Sequence, residues 1–184
     1  MNSWAAEYRS RFLMDRDETM TEHSFTDQLR FYEQKSGIDC SDGYGDIEWG
    51  AFRACREERV GPNVPEAIES LESSGHRIAI LSNSIFSADC LLRYLDLFGL
   101  GRHFDRVFSS ADLGIRKPSP HVFLHVCAEF EKEPSDVWFI GNNLEKDVHG
   151  ASGAGLNAIY YNRVDDECEG YSVKDLLEVR DIIR

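Results

Sequence analysis

Short apolar runs that alternate with amphipathic segments from residue 61 onward constrain the fold of this chain most strongly. Residues 77–82 (RIAILS), 137–140 (VWFI) and 157–162 (NAIYYN) are short and largely apolar, which is typical of strands covered on both faces. Segments with helical periodicity, such as residues 119–132, lie between them. Because strict strand–helix alternation produces right-handed crossovers, we expect an α/β core with a parallel sheet over residues 61–184.

The first sixty residues follow a different pattern. Trp4, Tyr8 and Phe12 recur every four residues, which is the spacing of one face of an amphipathic helix. A second helix is expected to follow, with Thr21 as its N-cap. No segment before residue 61 has the pattern of a strand. The sequence therefore predicts a helical cap segment over residues 1–60.

Composition and charge narrow the classes of function. The formal net charge of −13 argues against nucleic acid as a partner, because phosphate backbones are bound through Lys and Arg. The five cysteines are dispersed without metal-ligand spacing, as expected for free thiols in a reducing cytosol. No apolar stretch approaches the roughly 18 residues of a membrane span, and residues 1–12 lack the apolar core of a signal peptide. We expect a cytoplasmic protein that binds neither nucleic acid nor membrane.

Three polar groups of residues follow predicted strands or open the next helix. Ser82 and Asn83 come directly after the first strand, where a hydroxyl, an amide and backbone N–H groups can hold an oxyanion. Lys117 precedes a helix in a loop restricted by Pro118 and Pro120. A lysine fixed in this way is a compact positive charge suited to neutralising a phosphate.

The third polar group contains Asn142, Asn143 and Asp147, after the strand over residues 137–140. Each group alone could serve only as a turn, a cap or a first-turn acid. Ligands of open α/β sheets bind outside the carboxyl ends of the strands. We therefore expect the three groups to converge on one pocket for an anion and a cation.

In this order, three segments resemble the second, third and fourth motifs of the haloacid dehalogenase-like hydrolases. The segments are ILSNS (80–84), RKPSPHVF (116–123) and GNNLEKD (141–147). Residues 1–60 are similar to the helical cap of that family, and residues 61–184 to its core. The resemblance implies a Rossmann-like parallel sheet with a small α-helical cap, in a superfamily made mostly of magnesium-dependent phosphatases.

The resemblance also implies roles for individual residues. Ser82 and Asn83 would donate hydrogen bonds to phosphate oxygens, and Lys117 would pair with both the phosphate and the nucleophile. Asp147, with Asn143 nearby, would belong to an acidic Mg²⁺ site. The implied substrate is a small phosphorylated metabolite, hydrolysed through an aspartyl-phosphate intermediate.

Two departures from the family pattern bear on activity. The fourth motif usually begins Gly-Asp, whereas Asn142 occupies the acidic position here, and an amide is a weaker magnesium ligand than a carboxylate. The first motif is an apolar strand that ends in Asp-x-Asp-x-Thr/Val, and its first aspartate is the nucleophile. No such strand opens this chain. The first strand of the sheet is therefore expected to be absent or atypical.

One stretch, FLMDRDETM, matches the bare spacing of the first motif through Asp15, Asp17 and Thr19. In one interpretation Asp15 is the nucleophile and Asp17 the general acid/base. In the other, both are surface acids between two cap helices, and the helical periodicity upstream favours this second interpretation. If the first strand is missing, its two neighbours would have unpaired edges, and self-association becomes possible.

Three functions therefore stay open. The first is a magnesium-dependent phosphomonoesterase. The second is a binding module that retains the phosphate donors but lacks the nucleophile. The third is a haloacid dehalogenase, in which the acidic magnesium cluster would be dispensable, so that Asn142 favours it. The sequence does not identify the substrate.

Overall fold

The computed structural model describes residues 3–55, 59–164 and 167–183. Its α-helices are α1 (Ser3–Tyr8), α2 (Arg16–Thr19), α3 (Phe25–Ser36), α4 (Tyr44–Ala54), α5 (Val64–Ser73), α6 (Ala88–Asp96), α7 (Ser110–Leu113), α8 (Pro120–Glu129), α9 (Gly150–Gly153) and α10 (Val179–Ile182). Its strands are β1 (Ala79–Ser82), β2 (Arg106–Ser109), β3 (Trp138–Gly141), β4 (Asn157–Tyr161) and β5 (Tyr171–Val173). Short π-helical turns cover Arg9–Leu13 and Leu144–His149. No helix in these ranges is both long enough and apolar enough to cross a bilayer.

The strands form two separate parallel sheets. β1 pairs with β2, while β3 pairs with β4 and β4 with β5. This confirms the predicted α/β class with parallel strands. Within the described ranges no hydrogen-bonded ladder joins β1 to β3, so the sheet is divided into two parts. The sequence analysis did not predict β5.

Both faces of the larger sheet are covered by apolar side chains. On one face, Val137 and Phe139 pack on a cluster that includes Phe123 of α8. On the other face, Trp138 and Ile140 pack on a second cluster. Alternate residues of a strand point to opposite faces, and here both faces are apolar. This arrangement explains why the sequences of these strands are continuous apolar runs.

The amino-terminal segment is helical as predicted. α1 continues directly into the π-helical turn over residues 9–13. Tyr8 is buried there, and its ring centroid lies 4.9 Å from that of Phe12 and 5.4 Å from that of Phe31. The interpretation of Asp15 as the nucleophile requires a strand just before that residue, and this strand is not formed. The segment is helical instead, because the rings of Tyr8 and Phe12 meet only at the four-residue spacing of a helix.

The cap segment packs on the core through aromatic residues. Phe52 of α4 and Phe86 are buried together, with Phe25 and Trp49 packed against them. The backbone N–H of Phe25 also donates to the Ile85 carbonyl at 2.7 Å. The residues described before position 56 therefore share buried apolar contacts with the core. The division of the chain at residues 60 and 61 stays a prediction.

The N-cap predicted at Thr21 is wrong. Ser24 is the N-cap of α3: its hydroxyl accepts from the Asp27 N–H at 3.0 Å, and the Asp27 carboxylate accepts from the Ser24 N–H at 2.9 Å. Thr21 instead forms an isolated antiparallel bridge with Ile115. The pairing of residues 20–22 with the core holds Thr21 in an extended conformation. The N-cap of α3 therefore lies three residues later, at Ser24.

Replacing Ser24 with alanine is expected to lower the free energy of unfolding by about 1 kcal/mol, because the capping hydrogen bonds are lost. Urea denaturation measures the change. Ser152→Ala, at an exposed position of α9, is the matched control and should change stability by less than about 0.5 kcal/mol. Equal changes in the two variants would contradict the capping assignment.

Candidate active site

A buried ion pair lies where β1 and β3 end. The Nζ of Lys117 is 2.7 Å from Oδ1 of Asp147, and the two side chains are 10% and 8% exposed. The same Nζ donates to the carbonyl of Leu81 at 2.9 Å, next to Ser82 in β1. The structure therefore brings Ser82, Lys117 and Asp147 together at one rim, although they are far apart along the chain.

Asn83 fixes the backbone of Lys117. Its Oδ1 accepts from the Lys117 N–H at 2.9 Å, and its Nδ2 donates to the Lys117 carbonyl at 2.9 Å. The peptide bond between Lys117 and Pro118 is cis. Both polar atoms of the Asn83 side chain are thus engaged with the protein. A contribution of Asn83 to phosphate binding would have to come from its backbone N–H or from the second N–H of Nδ2.

Ser82 keeps its hydroxyl available. The residue is half-buried at the end of β1, and no hydrogen bond from its side chain occurs within the described ranges. A free hydroxyl at a strand end can donate to an oxyanion. Its assignment to phosphate binding stays a prediction.

Gly141 allows Asp147 to pack against the end of β3. A Cβ atom at position 141 would lie 2.3 Å from the Cβ of Asp147 and 2.5 Å from its Oδ2, which is closer than real side-chain atoms approach. The carboxylate also accepts the Asn143 N–H at Oδ2, at 3.0 Å. Asn143 is itself the N-cap of the turn over residues 144–149, where its Oδ1 accepts the Lys146 N–H at 2.7 Å.

The oxygens of Asp147 and Asn143, which the resemblance assigns to a magnesium site, all contact protein groups in the structure. Mg²⁺ requires near-octahedral coordination by oxygen. Both oxygens of Asp147 already bind protein groups, the Nζ of Lys117 and the N–H of Asn143. The side-chain oxygen of Asn143 is engaged as well, and residues 3–55, 59–164 and 167–183 contain no group of three or more His, Cys, Asp or Glu able to hold a metal. In the structure Asp147 is a lysine-paired carboxylate and Asn143 is a helix cap, and the metal role of both residues stays a prediction.

Asp15 and Asp17, the two acids with the first-motif spacing, lie at the start of α2 in the amino-terminal helical segment. Asp15 is exposed and precedes α2 without a side-chain capping bond. Asp17 is 3.3 Å from Nη1 of Arg116 and 3.5 Å from Nζ of Lys146. Those two cations directly precede Lys117 and Asp147 in the sequence. Asp17 thus contacts both loops of the site, whereas neither acid lies on a strand.

Sequence reasoning missed a buried polar network behind Lys117. Arg116 is 6% exposed and Glu22 is 4% exposed, and Nη1 of Arg116 lies 3.7 Å from Oε2 of Glu22. The hydroxyl of Ser110 donates to the same Oε2 at 2.9 Å. Arg116 could have been suspected from its place beside Lys117. Glu22 could not, because nothing in its local sequence distinguishes it from a surface acid.

Comparison with known proteins identifies the family of the chain. The sequence pattern of the family described as haloacid dehalogenase-like hydrolase matches residues 2–155. The chain belongs to this family. Its fold is also similar to the crystal structure of a 2-haloacid dehalogenase from Pseudomonas syringae, with a TM-score of 0.74, 22% identity, and coverage of 100% of this chain and 80% of that one.

Curated relatives in the family include more than one activity. A phosphoserine phosphatase from Thermus thermophilus is 35% identical over 59% of this chain and 44% of its own length. An (S)-2-haloacid dehalogenase 4A from Burkholderia cepacia is 31% identical over 78% of this chain and 58% of its own length. The chain thus spans about half the length of these relatives. The comparisons therefore establish the family, whereas the activity and the substrate of this chain stay open.

Proposed function

We propose that this family member hydrolyses small phosphate monoesters, with Lys117 as the group that holds the phosphoryl oxygens. The observation that carries the proposal is the buried ammonium group of Lys117 at the rim where β1 and β3 end. Because the chain has a net charge of −13, an anionic substrate needs a local cation of this kind. The phosphatase among the relatives supports the same chemistry.

Each residue of the rim then has a distinct part in the reaction. Lys117 neutralises negative charge on the phosphoryl oxygens, an interaction that is strong where water is excluded. The free hydroxyl of Ser82 donates to one of those oxygens. Asp147 acts as a positioning residue, because its carboxylate holds the Lys117 ammonium at 2.7 Å. Asn83 positions the same lysine through its backbone.

The proposed route passes through an aspartyl phosphate. A carboxylate oxygen bonds to phosphorus while the bond between phosphorus and the ester oxygen breaks, and the leaving oxygen takes a proton from an acid. Water then hydrolyses the acyl phosphate and releases inorganic phosphate. Asp15 is the candidate nucleophile and Asp17 the candidate acid; because no strand forms around Asp15, it would have to act from the turn that precedes α2. The contacts of Asp17 with Arg116 and Lys146 support a location beside the rim.

Haloacid dehalogenation is the second candidate, favoured by one specific observation. The described residues offer no acidic cluster for a metal, and the displacement of a singly charged halide by a carboxylate places less charge on the site than phosphoryl transfer does. Lys117 could then hold the carboxylate of a haloacid. The Burkholderia cepacia relative supports this alternative.

Two assays on the full chain separate these functions. Phosphate release from p-nitrophenyl phosphate is measured with and without Mg²⁺, and chloride release from (S)-2-chloropropionate is measured in parallel. Asp15→Asn and Asp17→Asn are compared with Asp42→Asn, an exposed acid of the cap segment. Phosphate release that is lost in Asp15→Asn and retained in Asp42→Asn is the expected result.

The other outcomes are equally informative. Chloride release without phosphate release would replace the phosphatase proposal with dehalogenation. Binding of inorganic phosphate without turnover of either substrate would identify a binding module. This result would overturn the proposal that the chain, without another polypeptide, is a hydrolase. Phosphate release that is unchanged in Asp15→Asn would exclude that residue as the nucleophile.

A further inference from the structure

Two cations border the rim without belonging to its buried ion pair. Arg116 directly precedes Lys117, and Lys146 directly precedes Asp147. A single carboxylate, that of Asp17, lies within 3.5 Å of a nitrogen atom of each, so these two side chains are close together in space. We call Arg116 and Lys146 the outer cations.

The guanidinium group of Arg116 is buried without adequate hydrogen-bond acceptors. Its side chain is 7% exposed, and its Nε and Nη1 atoms are inaccessible to water but form no hydrogen bond within the described part of the chain. Nη1 lies 3.3 Å from Oδ1 of Asp17 and 3.7 Å from Oε2 of Glu22, and neither contact has the geometry of a hydrogen bond. Because a buried donor without an acceptor is costly, this position favours a further acceptor.

Glu22 does not neutralise Arg116 by itself. Its Oε1 also lies 3.7 Å from Nη1 of Arg16, and its Oε2 accepts the hydroxyl of Ser110 at 2.9 Å. Among the described residues, the ion pairs of this cluster therefore join Arg16 and the two outer cations to only two carboxylates, Glu22 and Asp17. Such a local excess of positive charge attracts an anion even in a chain of net charge −13.

Asp17 shows what kind of anion can bind here. Its Oδ1 faces Nη1 of Arg116 at 3.3 Å and its Oδ2 faces Nζ of Lys146 at 3.5 Å, so one carboxylate spans both outer cations. The Asp17 side chain is 62% exposed, and ion pairs with an exposed partner are weak. A carboxylate from solution can therefore take its place. The planar guanidinium group is suited to pairing with both oxygens of such a ligand.

We infer that the outer cations form a subsite for the carboxylate of a substrate that also carries a phosphate ester. The phosphoryl group lies at Lys117, and the carboxylate replaces that of Asp17 on Arg116 and Lys146. The substrate class is therefore a phosphorylated hydroxy acid. The placement of the phosphoryl group rests on the proposed function, whereas the carboxylate subsite rests on the contacts of the outer cations.

Phosphonates, which the proposed reaction cannot hydrolyse, test the subsite by isothermal titration with the full chain. Phosphonoacetate, 3-phosphonopropionate and 4-phosphonobutyrate are each compared, at fixed ionic strength, with the alkylphosphonate of the same carbon number. The three lengths vary the spacing between the two anionic groups. At least one phosphonocarboxylate should bind about tenfold more tightly than its alkyl partner, which corresponds to roughly 1.4 kcal/mol.

Substitutions then locate this preference in the structure. Lys146→Gln removes a cation that is 31% exposed and should lose most of the preference. Lys132→Gln is the matched control, an exposed lysine between α8 and β3 at the opposite end of the strands, and should keep it. Asp17→Asn removes the competing carboxylate and should increase the preference. The candidate role of Asp17 as an acid does not affect this measurement, because no reaction occurs.

Nuclear magnetic resonance of the arginine side chains provides a readout in the unsubstituted protein. The Nε–H signal of Arg116, assigned with the variant Arg116→Lys, should shift when the preferred phosphonocarboxylate binds and not when its alkyl partner binds. The Nε–H signal of Arg102 is the control. Arg102 is exposed and lies between α6 and β2, away from the rim, so neither ligand should shift it.

The outcomes separate the subsite from the proposed function. Equal binding within every pair would overturn the subsite and leave Lys117 as the phosphoryl ligand. A preference that persists in Lys146→Gln, with an unshifted Arg116 signal, would overturn it as well, because the carboxylate would then bind elsewhere. Alkylphosphonates that do not bind would count against Lys117, whereas phosphonocarboxylates that still bind through Lys146 would support the subsite. Absence of binding by both classes would overturn both proposals.

Discussion

Replacing Lys117 with methionine is expected to lower the free energy of unfolding by about 3–5 kcal/mol, because the change leaves Asp147 charged and buried without its partner. The ammonium and carboxylate groups are 2.7 Å apart and both nearly inaccessible to water. For a chain of this size, each kcal/mol corresponds to roughly 2–4 °C in Tm. Calorimetry and urea denaturation measure the loss.

The matched control is an ion pair of similar length on the surface. Lys35 and Glu7 are 2.6 Å apart, but their side chains are 36% and 44% exposed. Lys35→Met should therefore cost no more than about 1 kcal/mol. The double variant Lys117→Met with Asp147→Asn removes both buried charges and should recover part of the loss. Equal costs for Lys117→Met and Lys35→Met would contradict a buried pair at the rim.

Replacing Gly141 with alanine is expected to lower stability by about 1–3 kcal/mol, as overpacking of a buried site does. The new methyl group would overlap the Cβ and carboxylate of Asp147. Asp147 must then move away from Lys117, and anion binding at the rim should weaken as well. Urea denaturation measures stability, and isothermal titration with inorganic phosphate measures anion binding.

Gly50→Ala is the matched control for this substitution. Gly50 lies within α4, and a Cβ atom there has no heavy atom within 4 Å. Alanine should therefore stabilise the helix by about 0.5–1 kcal/mol. The two glycine substitutions are expected to have opposite signs. A stabilising effect of Gly141→Ala would show that Asp147 does not pack against β3 as the structure describes.

The strands that are buried on both faces were predictable from local sequence. The apolar runs around Ile80, Phe139 and Ile159 coincide with β1, β3 and β4, because a strand covered on both sides must be apolar throughout. The order of the polar groups after these runs also predicted the meeting of Ser82, Lys117 and Asp147.

Local sequence did not predict features that depend on distant partners. Ser24 replaced Thr21 as the N-cap because residues 20–22 pair with the core. Glu22 is buried only because Arg116 and Ser110 reach it. Local sequence also gave no sign that Lys117 and the Asn143 N–H would contact the two oxygens of Asp147.

The amino-acid sequence by itself determined the α/β class, the helical amino-terminal segment and the candidate residues of the rim, because periodicity and strand-end chemistry are local properties. Only the tertiary structure decided that Lys117 and Asp147 form a buried pair and that β1 and β3 belong to separate sheets. Pairing between backbone edges depends on which strands become neighbours, and backbone N–H and C=O groups are the same for nearly every residue type.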